Sequence, residues 1–204
     1  SEFESVPVVL LKNQPTDRYT LDEGDILGVY IAGLLPFSPA NTIPPAPPVN
    51  FPDQQSGLPP SIGLPIPVQE GGTFNLPLLQ PFSVRGLTVD EVRREIEARY
   101  RQQDFLRNES TVPIVSLMRR REYAVTVIRG NATSAIGADG SSSGYTIKLQ
   151  ATENDVLTAL MQTGGLPGFN ERNEVVIYRT SLIPPDRRDE IVAKIISGEG
   201  CSCY

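Results

Sequence analysis

Asp22, Glu23 and Asp25 place three carboxylates in one short turn, and oxygen clusters of this kind are what a hard divalent cation needs. Too few further oxygen ligands stand nearby to complete a coordination shell. The acids therefore read as turn formers: Gly24 supplies a positive φ and Asp25 accepts hydrogen bonds from neighbouring backbone amides. No metal and no cofactor is expected. Two carboxylates are also all that a glycoside hydrolase requires, but the sequence does not pair them. It also has no Trp for a sugar-stacking platform, only 7 Phe and 7 Tyr.

Other chemistries lack their residues altogether. The sequence has no histidine, and its 2 cysteines are Cys201 and Cys203. A Ser-His-Asp set, a Cys-His set or a histidine-rich zinc site cannot be built from these residues. The expectation is a protein that is not an enzyme. The basic run Arg119 to Arg121 is short and reads as a solvated strand end rather than an anion site. With 18 Lys and Arg against 24 Asp and Glu, a net charge of -6 and no basic stripe, nucleic acid is not an expected partner.

The elements that must position these residues can be read from hydrophobic period and turn chemistry. The 204 residues, 39% of them apolar, suffice for one large or two small domains. Ser1 to Ser5 read as a short remnant rather than a signal peptide, and no apolar run approaches the roughly 18 residues of a membrane span. Tyr19 to Ile31 predicts a turn at Asp22 to Asp25 followed by a strand over Ile26 to Ile31. Of 19 prolines, 11 lie between Pro36 and Pro67; each removes a backbone donor, so this stretch reads as a long surface loop outside any central sheet. Its extended form would also suit a partner-docking arm.

Val68 to Leu79 carries a hairpin signal around Gly71-Gly72. Thr88 and Glu91 form a capping box, with Leu87 and Val92 at the staple positions, ahead of a helix to about Gln102. Val89, Val92, Ile96 and Tyr100 share its apolar face. Strands are expected at Thr111 to Leu117, Tyr123 to Ile128 and Tyr145 to Leu149, with a Gly/Ser-rich loop over Gly130 to Gly144. Thr152 with Asp155 suggests the cap of a second helix, which Gly164-Gly165 stops. A strand at Glu174 to Tyr178 and a helix at Asp186 to Ser197 complete an α+β pattern.

Three motifs in this order resemble the export domain of the bacterial outer-membrane polysaccharide biosynthesis and export proteins. They are Tyr19 with Gly24-Asp25 before an apolar strand, Gly71-Gly72-Thr73-Phe74-Asn75-Leu76-Pro77, and Gly86-Leu87-Thr88 leading into a charged helix. Val125 to Gly130, Gly144-Tyr145-Thr146, the helix ending in Gly164-Gly165-Leu166 and Val175 to Arg179 resemble the soluble-ligand-binding β-grasp module that follows this domain in the same family.

The resemblance implies an α+β chain: an N-terminal extension (1–18), a β-rich export domain with one packed helix (19–120, insertion 36–67), a small β-grasp domain (121–183) and a C-terminal helix or tail (184–204). It implies a non-catalytic subunit of a homo-oligomeric ring in the periplasm and outer membrane of the bacterial envelope. Such a ring passes a capsular or exopolysaccharide and works with an inner-membrane chain-length regulator. Outer-membrane attachment would come through parts absent from this chain. Tyr19, Gly24, Asp25, Pro77, Gly86, Thr88, Gly164 and Gly165 would be structural motif residues. The competing reading is a monomeric module whose β-grasp unit binds a glycan or small ligand, with Tyr145, Phe169 and Tyr178 as contacts.

Overall fold

The computed structural model describes residues 11–13, 18–39, 42–54, 56–106, 111–129, 143–166, 175–177 and 187. The fold is mixed α+β and rich in short strands. Contacts divide it into one unit of Asn13–Tyr123 with Gln150–Asn154, and a second that contains Ala124–Leu149 and the chain from Asp155 onwards. No helix among the described residues is long and apolar enough to cross a membrane.

The first unit runs β1 (Ile26–Tyr30), β2 (Val49–Asn50), β3 (Ser61–Ile62), β4 (Leu64–Pro67), a 3-10 turn (Glu70–Gly72), β5 (Thr73–Phe74), β6 (Phe82–Ser83), α1 (Val89–Gln102) and β7 (Ile114–Arg119). β1 is the central strand of a three-stranded sheet, antiparallel to β4 on one side and β7 on the other. Its odd positions, Leu27 and Val29, are fully buried and continue into Ile31, in one core with Phe74, Val84, Val92, Ile96 and Tyr100. Alternation along a strand sends Gly28 and Tyr30 to the opposite face.

That opposite face is covered by the proline-rich segment, which is therefore not simply a surface loop. Gly28 has no side chain because the segment lies against it: a Cβ there would stand 2.7 Å from the Ile62 carbonyl oxygen and 2.9 Å from Ser116 Oγ. Ser116, opposite Gly28 in the β1–β7 register, accepts from the Ile62 N–H at 3.0 Å and donates to the Ile62 carbonyl at 2.9 Å. The Tyr30 hydroxyl donates to the Pro45 carbonyl at 2.7 Å. The segment's last residues become edge strand β4, in which Pro65 and Pro67 are exposed while Leu64 and Ile66 pack on the core. Proline is tolerated there because an edge strand needs only one row of donors.

α1 forms where its caps predict. Thr88 Oγ1 accepts from the Glu91 N–H, and the Glu91 carboxylate accepts from the Thr88 N–H at 2.8 Å, closing the capping box. Val92, Ile96 and Tyr100 are buried, each worth about 1.5–3 kcal/mol on transfer from water. The wet face carries i,i+4 ion pairs from Arg99 to Glu95 and Arg101 to Glu97. Around Gly71-Gly72, by contrast, the expected hairpin shrinks to a single bridge between Gln69 and Thr73. β5 pairs instead with β6, because the aromatic rings of Phe74 and Phe82 meet edge to face at 6.0 Å.

The second unit pairs β8 (Glu122–Arg129) with β9 (Ser143–Gln150) and adds α2 (Val156–Gln162). Leu149, Ala159 and Leu160 are its buried apolar residues among those described. The α2 cap is Asp155, not Thr152: Asp155 Oδ1 accepts from the Thr158 N–H at 2.7 Å, whereas Thr152 is exposed. Asp155 stands one residue before the helix, the position from which a side chain can reach the free N–H groups. Gly164 and Gly165 both take positive φ, and the Gly165 N–H returns to the Leu160 carbonyl at 2.8 Å, terminating the helix in a Schellman turn. Of the strand expected at Glu174 to Tyr178, residues 175–177 are described, exposed and in no ladder. The expected C-terminal helix falls outside the described residues, apart from position 187.

Candidate functional site

Asp25 follows the Asp22 to Gly24 turn and enters β1 with its carboxylate fully buried. A buried carboxylate is costly unless donors surround it, and here four donors do. Oδ1 accepts from the Tyr19 hydroxyl at 2.5 Å and from the Arg121 N–H at 2.7 Å. Oδ2 accepts from the Asp22 N–H at 2.9 Å and from Arg121 Nη1 at 2.9 Å. Arg121 Nη1 also donates to the Tyr19 hydroxyl and the Thr20 carbonyl, and its Nε donates to the Tyr123 hydroxyl at 3.0 Å. The Tyr19 ring lies beneath both Arg120 and Arg121, whose guanidinium carbons are 5.6 and 5.3 Å from its centre.

Burial, with help from the neighbouring Asp25 carboxylate, pushes the Tyr19 hydroxyl well above the ordinary phenol range. It therefore stays a donor across physiological pH. The Arg119 to Arg121 run is thus not a solvated strand end: Arg121 is only 18% exposed at its side chain and pairs with Asp25.

Three separated stretches of sequence meet around this cluster. Leu21 exchanges backbone hydrogen bonds with the Gly86-Leu87 turn, donating to the Leu87 carbonyl and accepting from the Gly86 N–H, each at 2.8 Å. The Gly24 N–H donates to the Val68 carbonyl at 3.0 Å, and Glu23 Oε2 accepts from the Gly71 N–H at 3.3 Å. Asp22 Oδ1 accepts from Arg85 Nε at 2.8 Å. Donation from the Glu23 N–H, followed by the Arg85 guanidinium, holds the Asp22 carboxyl below the usual carboxylate range. Residues 22–24, 85 and 121–123 line an open cleft of roughly 400 Å³ above the cluster.

Of the residues singled out from sequence, Tyr19, Gly24 and Asp25 stand together at this site, with Gly86 in the adjoining turn. Thr88 caps α1, and the Pro77 carbonyl accepts from the Tyr100 hydroxyl at 2.7 Å. Gly164 and Gly165 end α2 in the other unit. Tyr145 lies on β9 and is exposed, while Phe169 and Tyr178 fall outside the described residues. Arg85, Arg121 and Tyr123 have no local signature. The one hint was that Asp25 is followed by a buried strand, so its charge needed a cationic partner from elsewhere in the chain.

As arranged, the cluster holds a turn rather than activating a nucleophile: its acid, base-like hydroxyl and guanidinium all satisfy one another. Among the described residues no group of His, Cys, Asp and Glu is placed to hold a metal ion. The family model of the polysaccharide biosynthesis/export proteins matches residues 13–116, just over half of the chain, which takes in the site's residues from Tyr19 to Leu87 but not Arg121 and Tyr123. No curated protein matches the sequence. The chain belongs to the polysaccharide biosynthesis/export protein family.

Proposed function

We propose that this chain is the periplasmic part of an outer-membrane polysaccharide exporter, a non-catalytic subunit of a ring whose lumen passes capsular or exopolysaccharide to the cell surface. The observation that carries the reading is the family match over residues 13–116. The self-satisfied Tyr19, Asp25 and Arg121 cluster supports it, since it is built to fix shape. In this reading 19–120 is the export domain, 121–183 a β-grasp module and 184–204 a C-terminal helix or tail, with an inner-membrane chain-length regulator as partner. Closed rings arise from heterologous contacts repeated around an axis.

Deletion of the gene in its bacterial host tests the function: surface polysaccharide, measured as sugar released from washed cells, is lost and returns on complementation. Unchanged surface polysaccharide would sink the proposal. Light scattering on the full-length mature protein in detergent tests the ring, and a strict monomer at high concentration would refute that part.

A further inference from the structure

The cleft above the cluster is polar, open and already stiff. Tyr123 is 42% exposed, yet its hydroxyl is pinned by Arg121 at 3.0 Å, and Arg121 is pinned in turn by the buried Asp25 at 2.9 Å. Arg85 is more than half exposed at its side chain and is oriented by Asp22 at 2.8 Å. The lining thus offers an aromatic ring, a planar guanidinium and the carboxylates of Asp22 and Glu23 in one place. A pyranose has the matching features: an apolar C–H face for an aromatic ring and vicinal hydroxyls for planar polar groups. Groups held before binding lose little entropy when they bind.

From these features we infer that the cleft is a contact site for a neutral hexose residue of the transported polymer. The choice of ligand rests on the export reading. Charge selects the neutral class: the lining carries Asp22, Glu23 and Glu122 against Arg85 and Arg121, both arginines are engaged by carboxylates of their own unit, and a uronate would meet surplus negative charge. An open cleft that stays wet gives weak binding, with Kd on the order of 1 mM, which suits a wall that must release its polymer.

The test is an NMR titration of the isotopically labelled 204-residue chain with maltohexaose, cellohexaose and mannohexaose, and separately with a hexameric oligogalacturonate. The amide and side-chain signals of Gly24, Arg85 and Tyr123 should shift with at least one neutral hexamer. Tyr123→Ala should weaken that binding about fivefold or more, Tyr123→Phe should stay within about twofold, and the uronate should bind at least fivefold less well. If Tyr123→Ala loses its fold, Arg85→Gln replaces it, with the same weakening expected. Absence of shifts at the cleft with all three neutral hexamers, equal or tighter uronate binding, or unchanged affinity in the variant overturns the inference.

The export reading is separable by complementation. Loss of surface polysaccharide on deletion, together with no hexamer binding, removes the cleft and keeps export. Unchanged surface polysaccharide with binding at Tyr123 keeps the cleft and removes export.

Discussion

Asp25 makes its four hydrogen bonds with no exposure at all, so its energetics are those of a buried ion pair, where desolvation and attraction nearly cancel but removal of one partner strands the other. Asp25→Ala should therefore lower unfolding free energy by about 3 kcal/mol, read from urea denaturation. Arg121→Ala should do comparable damage, since the buried carboxylate keeps the Tyr19 hydroxyl and the backbone N–H groups of residues 22 and 121 but loses its guanidinium partner. If either variant lost less than about 0.5 kcal/mol, a size ordinary for an exposed pair, the cluster would not be the fastening described here. The tyrosines add a pH dependence. Burial raises the Tyr19 hydroxyl and pushes Tyr100 up to about 12. The unfolded chain ionises its tyrosines near pH 10 while the folded chain keeps these protons, so their stabilisation is complete below about pH 10 and is lost as pH rises towards 12. Stability measured across that window should fall, and Tyr100→Phe should make the fall shallower; an unchanged alkaline limb would show that Tyr100 is not held protonated by the fold.

At the scale of elements, α1 depends on its box and β1 on its missing side chain. Thr88→Ala removes the acceptor for the Glu91 N–H and should cost about 1 kcal/mol, seen as a lower urea midpoint with unchanged slope. Gly28→Val should be far worse, because the new atoms would have to displace the Ile62 carbonyl and Ser116 together; Gly28→Ala already meets the carbonyl at 2.7 Å. Its spectrum should show the changes concentrated at Pro45 to Ile62 and Ser116, and changes spread evenly over α1 would refute the close approach.

These two elements also mark what the sequence makes legible. α1 is encoded locally, by caps and a 3.6-residue period, and lies where expected. The site's turn is local too, with Gly24 and Asp25 adjacent. The partner of Asp25 is not: Arg121 comes 96 residues later, and a run of three arginines carries no mark of which one turns inward. The proline-rich segment misleads for the same reason, since proline chemistry excludes it from a sheet interior but says nothing about an edge or about packing over Gly28. Asp155 displaces Thr152 as cap because two acceptable cap residues lie close together, and only the path of the chain chooses between them.

For the whole molecule, where the first unit ends has consequences for every truncated version of it. A boundary at residue 120 follows the family resemblance, but Arg121 serves the unit before it, through two bonds to Asp25 and one each to Tyr19 and Thr20. The chain then returns: the Ala151 N–H donates to the Arg121 carbonyl at 3.0 Å, and Asn13 Nδ2 donates to Asn154 Oδ1 at 3.1 Å. A fragment of residues 13–120 would bury an aspartate without its cation, which a folded core does not tolerate cheaply. A fragment of residues 13–123 regains Arg121 and the Tyr123 hydroxyl that orients it, and 13–154 also regains the returning strand end. Urea unfolding of the three fragments should place 13–120 at least about 2 kcal/mol below 13–123, or leave it unfolded outright, with 13–154 the most stable. Equal stability of 13–120 and 13–123 would mean that Arg121 contributes no net stability to the first unit, and the boundary could then stand at residue 120.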